Sequence, residues 1–186
     1  MKRLLLFMAT LMLTMGAAFA QPQMMGKKEI KETKTDIKSD RVALRKLEGN
    51  VVSDQAKNNF HMDFKNATDA KWKRVDTYDV VTFKMAGKDL KGYYDYNGNL
   101  VGTTQRETFA DIPASAQKEI KEKYQGYKIG PVIFFKDNQA NSTDMILWAT
   151  QFDDADNYFV EMDKGSEAII LKVDPYGMVS YFKKLS

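Results

Sequence analysis

Apolar residues recur every fourth position in two short stretches of the chain, and each stretch is bounded by residues typical of helix ends. The apolar positions are Ala56, Phe60 and Phe64 in the first stretch and Ala116, Ile120 and Tyr124 in the second. Ser53 precedes the first stretch as a capping residue, Pro113 opens the second, and Gly126 follows it. Because this spacing places apolar side chains on one face, the pattern predicts two amphipathic helices.

Runs rich in β-branched and aromatic residues fill most of the chain between and after these helices. They cover residues 72–75, 79–85, 89–95, 99–109, 127–135, 143–152, 157–163, 167–174 and 178–184. Asparagine and glycine residues separate the runs and mark turns. The sequence therefore predicts an α+β fold, with helices packed on one face of an antiparallel sheet.

The pattern of the first half recurs in the second half. A shift of 60 positions lays Ala56 and Phe60 over Ala116 and Ile120, and a shift of 79 lays Asp95 and Gly98 over Asp174 and Gly177. The 19 extra residues fall around 136–144, a segment rich in turn residues. We therefore predict two helix-plus-antiparallel-hairpin repeats, residues 46–110 and 111–186, that together form one compact domain.

A two-residue turn at Ala86–Gly87 would pair Phe83 with Leu90 and Lys84 with Asp89. The same parity in the second half divides the strand residues between two faces. The set predicted to face the helices is Val160, Met162, Ile169, Leu171 and Val173, and the opposite set is Phe159, Glu161, Ile170 and Lys172. Because the opposite set is rich in apolar residues, it is expected to be an uncovered surface that binds a partner.

The segment YYDYNGNLVGTT, residues 93–104, begins like a calcium-binding loop. An EF-hand loop counted from Asp95 needs glycine at its sixth position and glutamate at its twelfth, which here are Leu100 and Arg106. The segment instead predicts a hairpin turn, since Asn97–Gly98 is the pair that type I′ turns prefer. A type I turn, with different chemistry, is predicted at residues 174–177.

Residues 1–20 have the form of an export signal peptide. Lys2 and Arg3 precede an apolar run, and the small-x-small sequence AFA ends at Ala20. The run is too short for a membrane span of about 20 residues, so no membrane insertion is expected after cleavage. Residues 21–45 are polar and lysine-rich, which predicts a flexible lead-in. The expected product is an exported protein, periplasmic or secreted.

Charge and residue types exclude several function classes. Cleavage would remove two cations, so the formal charge falls from +3 to +1 (3 − 2), and no clustered basic sequence indicates nucleic-acid binding. With no cysteine and one histidine, His61, the common zinc and nucleophilic sites lack their parts. Asp153, Asp154 and Asp156 could hold a cation, or could form a solvated hairpin loop between runs 143–152 and 157–163. We expect no catalytic residue, no metal site and no cofactor.

Three segments carry a resemblance to a known family. These are NATDAKWKR, YDVVTFKMAGKDLKGYYDYNGNLVGTT and DIPASAQKEIKEKYQGYKI. Over about residues 50–185 the chain resembles the PepSY-like proteins of Bacteroidetes, which are similar to the β-lactamase-inhibitor protein. The resemblance implies a periplasmic or secreted α+β protein with a concave, uncovered sheet face. PepSY domains are associated with restraining peptidases, but no inhibitory loop residue of the inhibitor protein maps onto this chain.

The sequence and the resemblance together predict a non-catalytic binding module of the cell envelope. Its expected partner is a protein or peptide, with an envelope peptidase among the candidates. The residues predicted to form the binding surface are Phe159, Ile170, Lys172, Glu161, Tyr93, Val80 and Lys91. The alternative is a periplasmic protein that binds a small ligand or a metal ion, through the aromatic residues or the Asp153–Asp156 segment.

Overall fold

The computed structural model of the protein describes residues 49–185. This part of the chain contains two α-helices, α1 (Asp54–Asp63) and α2 (Ala114–Lys123), and a short 3-10 turn at Phe109–Asp111. Its strands are β1 (Thr68–Val75), β2 (Tyr78–Met85), β3 (Lys88–Tyr94), β4 (Leu100–Glu107), β5 (Lys128–Asp137), β6 (Met145–Leu147), β7 (Thr150–Phe152), β8 (Asn157–Lys164), β9 (Glu167–Val173) and β10 (Val179–Lys184). The predicted signal peptide (1–20) and lead-in (21–45) lie outside the described residues.

Eight of these strands form one antiparallel sheet in the order β1-β2-β3-β4-β5-β8-β9-β10. Strands β6 and β7 pair with each other and form a separate hairpin. Each helix is followed along the chain by four strands of the large sheet. The prediction of an α+β fold with a large antiparallel sheet is therefore confirmed. Both edge strands, β1 and β10, carry a break in register, a feature that discourages edge-to-edge aggregation.

Helix α1 packs on the first half of the sheet. Its N-terminus is capped as predicted, because Ser53 Oγ accepts a hydrogen bond from the Ala56 backbone N–H at 3.4 Å. The helix buries Ala56 and Phe60 in a cluster with Val81 and Phe83. Burial of each large apolar side chain contributes about 1.5–3 kcal/mol, so this face holds the helix on the sheet.

Helix α2 covers the second half of the same face. Pro113 occupies its N-cap position, and its buried residues are Ala116 and Ile120. The cluster beneath the helix contains all five residues predicted to face it: Val160, Met162, Ile169, Leu171 and Val173. The predicted assignment of these five residues to the helix-bearing face is therefore confirmed.

The register predicted for the β2–β3 hairpin is also confirmed. Phe83 pairs with Leu90 and Lys84 pairs with Asp89 across the two strands. Ala86 and Gly87 both have positive φ, at 51° and 76°, as the two central residues of a type I′ turn require. The turn residues thus set which side chains of this hairpin share a face.

The prediction of a type I′ turn at Asn97–Gly98 is wrong, and with it the prediction that the two halves use different turns. Gly98 N–H donates to Asp95 O at 3.0 Å, and Gly177 N–H donates to Asp174 O at the same distance. Asn97 does not have positive φ, which excludes a type I′ turn, whereas Gly98 and Gly177 do, at 74° and 92°. Both hairpins therefore close with the same three-residue loop, in which a left-handed glycine follows a tight turn.

The run 143–152 does not form the single strand that the sequence predicts. It folds back on itself as β6 and β7, with Leu147 paired to Thr150. Trp148 and Ala149 form the two-residue turn between them, both at positive φ. The Asp153–Asp156 segment consequently links this small hairpin to β8, and β8 pairs with β5 and β9. The sequence failed here because neither Trp nor Ala is a residue that favours such a turn.

Candidate functional site

The face of the sheet opposite the helices divides into a covered part and an uncovered part. The β6–β7 hairpin lies on the covered part and buries an apolar cluster against it. The buried members of that cluster are Tyr78, Val80, Val101, Phe135, Met145, Phe152, Phe159 and Ile170. The protein therefore has a third apolar layer, supplied by the chain between β5 and β8.

Three of the residues predicted for the partner-binding surface lie on the predicted face but are not exposed. Phe159 is 1% exposed, Ile170 0% and Val80 3%. The expectation that the sheet is uncovered at these positions is wrong, because the β6–β7 hairpin occupies it. Their apolar character is explained by burial in the core, which the alternation along the strands could not distinguish from an apolar binding surface.

Aromatic contacts hold the hairpin on the sheet. The ring centroid of Phe159 lies 5.5 Å from that of Trp148, 5.0 Å from Phe152 and 4.9 Å from Phe182. The pairs of Phe159 with Phe152 and Phe182 are edge-to-face, and each such pair adds about 0.5–1.5 kcal/mol beyond the burial of its area. Tyr78 Oη donates to Asp144 O at 3.0 Å, and Lys183 Nζ donates to the Trp148 carbonyl. Burial raises the pKa of Tyr78 to about 12, so its hydroxyl remains protonated in this contact.

The other four predicted residues retain solvent access. Lys172 and Glu161 are half-buried beside the hairpin, and Lys172 Nζ lies 4.0 Å from the exposed Asp153 carboxylate. Tyr93 is half-buried at the edge of the covered cluster, with its hydroxyl 3.1 Å from Thr104 Oγ1. Burial raises the pKa of Tyr93. Lys91 is exposed on the uncovered part of the face.

The uncovered part of this face, on β1 to β4, is strongly basic. Cross-strand pairing places Lys71 beside Thr82, Thr82 beside Lys91, and Lys91 beside Thr104. We call the five exposed cations of this face the basic patch: Lys71, Lys73, Lys84, Lys91 and Arg106. Asp89 is the one carboxylate among the face positions of these four strands, and its contact with Lys84 is long, at 3.8 Å.

The basic patch is the part of the site that the sequence argument missed. The 49–186 region carries a net charge of −2, from 18 Lys and Arg against 20 Asp and Glu, which gave no reason to expect a cationic surface. The sequence did contain one signal for this patch, namely the alternation of side chains between the two faces of a strand. Lys71 and Lys73 are two residues apart, as are Thr104 and Arg106, so each pair shares a face of its strand.

A cluster of carboxylates lies where the small hairpin joins β5. Asp137 is 7% exposed, and its backbone N–H donates to Asp156 Oδ1 at 2.7 Å. Burial raises the pKa of the Asp137 carboxyl to about 7, and the Asp154 and Asp156 carboxylates act in the same direction. Among the described residues, no group of three or more His, Cys, Asp or Glu side chains is arranged to hold a metal ion.

A polar cavity of about 410 Å³ opens between the end of α1, the Asp95 turn and the loop after β5. Asparagine and aspartate side chains line most of it. Asn141 Nδ2 donates to Leu100 O at 3.0 Å, and Asn138 Nδ2 donates to the same oxygen at 2.7 Å. Asp95 Oδ1 accepts from the Asn97 and Asn99 backbone amides at 2.8 and 2.9 Å. These polar groups therefore already fix the turn and the loop to each other.

His61 is exposed on α1, with its ring 5.6 Å from the Phe60 ring. In residues 49–185 no helix has both the length and the apolar character needed to cross a membrane. Over residues 49–185 the observations define a class of protein: an eight-stranded antiparallel sheet with two helices on one face, a small hairpin on part of the other, and a basic area beside it.

Several solved structures have a fold similar to that of this chain. No family model matches the chain, and no curated protein matches it. The fold is similar to that of a BLIP-like protein from Bacteroides fragilis, with a TM-score of 0.57 and 17% identity over 74% of this chain and 90% of that one. It is also similar to a DUF2874 family protein from Bacteroides uniformis, with a TM-score of 0.59 and 16% identity over 73% and 91%.

A third similar structure, from Bacteroides eggerthii, is of a protein provisionally assigned to the periplasm. Its TM-score is 0.59, with 14% identity over 73% of this chain and 90% of that one. At these identities the likeness shows the fold alone. The chain therefore has the fold of BLIP-like and DUF2874 proteins of Bacteroides, which confirms the predicted resemblance at the level of the fold.

Proposed function

We propose that the protein is an exported, non-catalytic binding module that presents the uncovered part of its sheet to a protein or peptide of the cell envelope. The observation that carries the proposal is the basic patch, five exposed cations beside one carboxylate on an open sheet face. Clustered, unbalanced charge on one surface attracts a partner of opposite charge and speeds its association.

The residues proposed to contact the partner are Lys91 and Tyr93, with Lys172 and Glu161 at the far border of the hairpin. Phe159, Ile170 and Val80 support this surface from the core instead of touching the partner. An envelope peptidase restrained by the module is one candidate partner, on the strength of the family resemblance alone.

We also propose that the two halves, residues 46–110 and 111–186, are repeats of one helix-plus-hairpin unit. Identical turns support this: Gly98 lies against Ala56 at the start of α1, and Gly177 lies against Ser115 at the start of α2. The segment between β5 and β8 then distinguishes the second unit. It forms the β6–β7 hairpin, which has no counterpart in the described part of the first unit and covers part of the sheet face opposite the helices.

Site-specific photo-crosslinking in the cell envelope tests the binding face. A photoreactive residue in place of Lys91 is expected to capture a protein or peptide. The matched control replaces Lys136, an exposed lysine on the helix-bearing face of the same sheet, where it pairs with Thr103. Equal adducts at both positions, or adducts at the Lys136 position alone, would contradict the assignment of the face.

A second candidate function is the binding of a small polar ligand in the cavity of about 410 Å³, and its carboxylate and amide lining is the observation that favours it. Calorimetric titration with neutral sugars and with calcium tests this function. Heat that disappears on Asn141→Ala substitution would support it, and an absence of heat with every titrant would exclude it.

A further inference from the structure

We propose that the basic patch binds an extended acidic peptide segment whose carboxylates alternate along the chain. This inference rests on the proposed function, because it names the chemistry of the partner for the same face. A peptide is favoured by the arrangement of the cations, by the single long ion pair that they make among the described residues, and by the shape of their surroundings.

The cations are arranged at spacings that an extended chain can match. Lys71 and Lys91 lie in one cross-strand row with Thr82 between them, so their backbones are about 10 Å apart. Lys71 and Lys73 are alternate residues of one strand, about 7 Å apart. Alternate side chains of an extended peptide also repeat at about 7 Å and point to one side, so a row of carboxylates can face these lysines.

The positive charge of the basic patch is only weakly neutralised by carboxylates of the described residues. Within the described residues, Lys71, Lys73, Lys91 and Arg106 have no ion pair, and the one pair of Lys84 joins two exposed side chains at 3.8 Å. Thr82 is half-buried between the two lysines of its row, and Thr104 is buried beside Lys91. The surface between the lysines thus offers the half-buried Thr82 hydroxyl, whereas the Thr104 hydroxyl already lies 3.1 Å from Tyr93 Oη. A hydroxyl between cations suits carboxylates and peptide groups together.

The surroundings favour a peptide over a membrane surface. The β6–β7 hairpin packs on the adjacent part of the sheet, and Tyr93 packs against the apolar cluster that the hairpin buries. Packed layers are about 10 Å apart, so the hairpin forms a step beside the basic patch that a flat lipid surface would meet first. Of the most exposed large apolar residues in the described part of the chain, Val75 alone lies on β1 to β4, which leaves little on this area to insert into lipid.

Fluorescence anisotropy with the full chain tests the inference. The probe is a labelled peptide that alternates glutamate and threonine. The comparison peptide has the same composition but carries its glutamates in adjacent pairs, which cannot all face one side of an extended chain. The alternating peptide is expected to bind more tightly, and its affinity is expected to fall steeply with added salt.

Charge reversal at one position of the basic patch is the most direct test of which face binds the peptide. Lys91→Glu is expected to weaken binding of the alternating peptide on the order of tenfold, because a surface attraction becomes a repulsion of similar size. Lys136→Glu makes the same change of charge on the opposite face and is expected to change the affinity by less than about twofold.

Three outcomes would overturn the inference: equal losses in both variants, equal affinity for the two peptides, or tighter binding of phosphatidylglycerol vesicles or of DNA than of the peptide. The photo-crosslinking result at Lys91 is independent of these measurements. If that crosslink persists while the acidic peptide fails to bind, the sheet-face function stands and the acidic chemistry of the partner is wrong.

Discussion

At the scale of single residues, two glycines at equivalent turns fix the hairpins to the helix starts. An added Cβ at Gly98 would lie 2.9 Å from the Ala56 backbone nitrogen, and one at Gly177 would collide with Ser115 Oγ. Asp95 and Asp174 each accept two backbone hydrogen bonds within their turns. The segment that resembled a calcium loop therefore uses its aspartate to shape a turn and its glycine to let a helix approach.

Replacing Gly98 by alanine is expected to lower the free energy of unfolding by about 2–4 kcal/mol. The substitution combines a left-handed backbone, which costs a Cβ-bearing residue about 1–2 kcal/mol, with a clash against backbone atoms that cannot move aside. Gly87→Ala is the matched control, because Gly87 also has positive φ but has nothing within 4 Å of the added Cβ. Urea denaturation measures both variants, and equal losses would refute the close approach of the turn to α1.

The buried carboxyl of Asp137 gives a second prediction at this scale. Burial raises its pKa from 3.8 to about 7, so the folded protein holds a proton there that the unfolded chain releases. The stabilising contribution of the neutral carboxyl is present below about pH 4 and is lost as the pH rises to about 7. We expect Asp137→Asn to flatten the decline of stability over this range.

Chemical denaturation of the wild type and Asp137→Asn between pH 4 and 8 tests this expectation. Asp76→Asn, at an exposed turn residue with positive φ that asparagine tolerates, is the control and should keep the wild-type slope. If Asp137→Asn also keeps that slope, the carboxyl does not hold a proton in the folded protein over this range.

At the scale of elements, the β6–β7 hairpin decides which part of the sheet is available to a partner. Its turn residues, Trp148 and Ala149, have φ of 49° and 56°, a conformation that side chains with a Cβ adopt at a cost. The packing of Trp148 against Phe159 and Phe182 holds the turn in place. Tertiary contacts thus override the local preference of this segment.

Ala149→Gly is expected to raise the free energy of unfolding by up to about 1 kcal/mol, because glycine adopts positive φ without the steric cost. Ala149 is exposed, so the substitution removes little packing. Ala140→Gly, at an exposed alanine without positive φ, should have no effect or destabilise. Thermal unfolding of both variants tests the strain, and a loss of stability in Ala149→Gly would contradict it.

Residues on the covered and uncovered parts of this sheet face are expected to differ in how much they contribute to the free energy of unfolding. Phe159→Ala is expected to lower the free energy of unfolding by about 3–5 kcal/mol, since its ring is buried among three other aromatic rings. Lys91→Ala, on the uncovered part of the same face, should change it by less than about 0.5 kcal/mol. If Phe159→Ala were as mild as Lys91→Ala in urea denaturation, the hairpin would not cover the sheet in solution.

At the scale of the whole molecule, charge and apolar area are separated on the two parts of one sheet face. The covered part buries apolar residues of both halves under the hairpin, and the uncovered part on β1 to β4 presents four lysines and one arginine to solvent. A net charge of −2 over residues 49–186, 18 cations against 20 anions, conceals this separation. Net charge is a sum over all surfaces, whereas a partner responds to the local field.

The sequence by itself determined the α+β class, the alternation of the strand residues between the two faces, and most of the elements, with run 143–152 as the exception. Local rules suffice for these features, because apolar spacing, caps and turn residues act over a few positions, as the β2–β3 hairpin and the five residues beneath α2 demonstrate. The identity of the two turns was within reach, but the Asn97–Gly98 pair suggested a different turn type. Positive φ at Trp148 and Ala149 had no signal in the residue types.

Only the tertiary structure decided which part of the sheet is covered and where the cations gather. An apolar strand residue such as Phe159 has the same pattern whether it meets a partner or a hairpin of its own chain. Lys71 and Arg106 come from strands three positions apart in the sheet, so their common surface exists only after the strands pair. Alternation fixes the face of a side chain, but what lies over that face depends on distant segments.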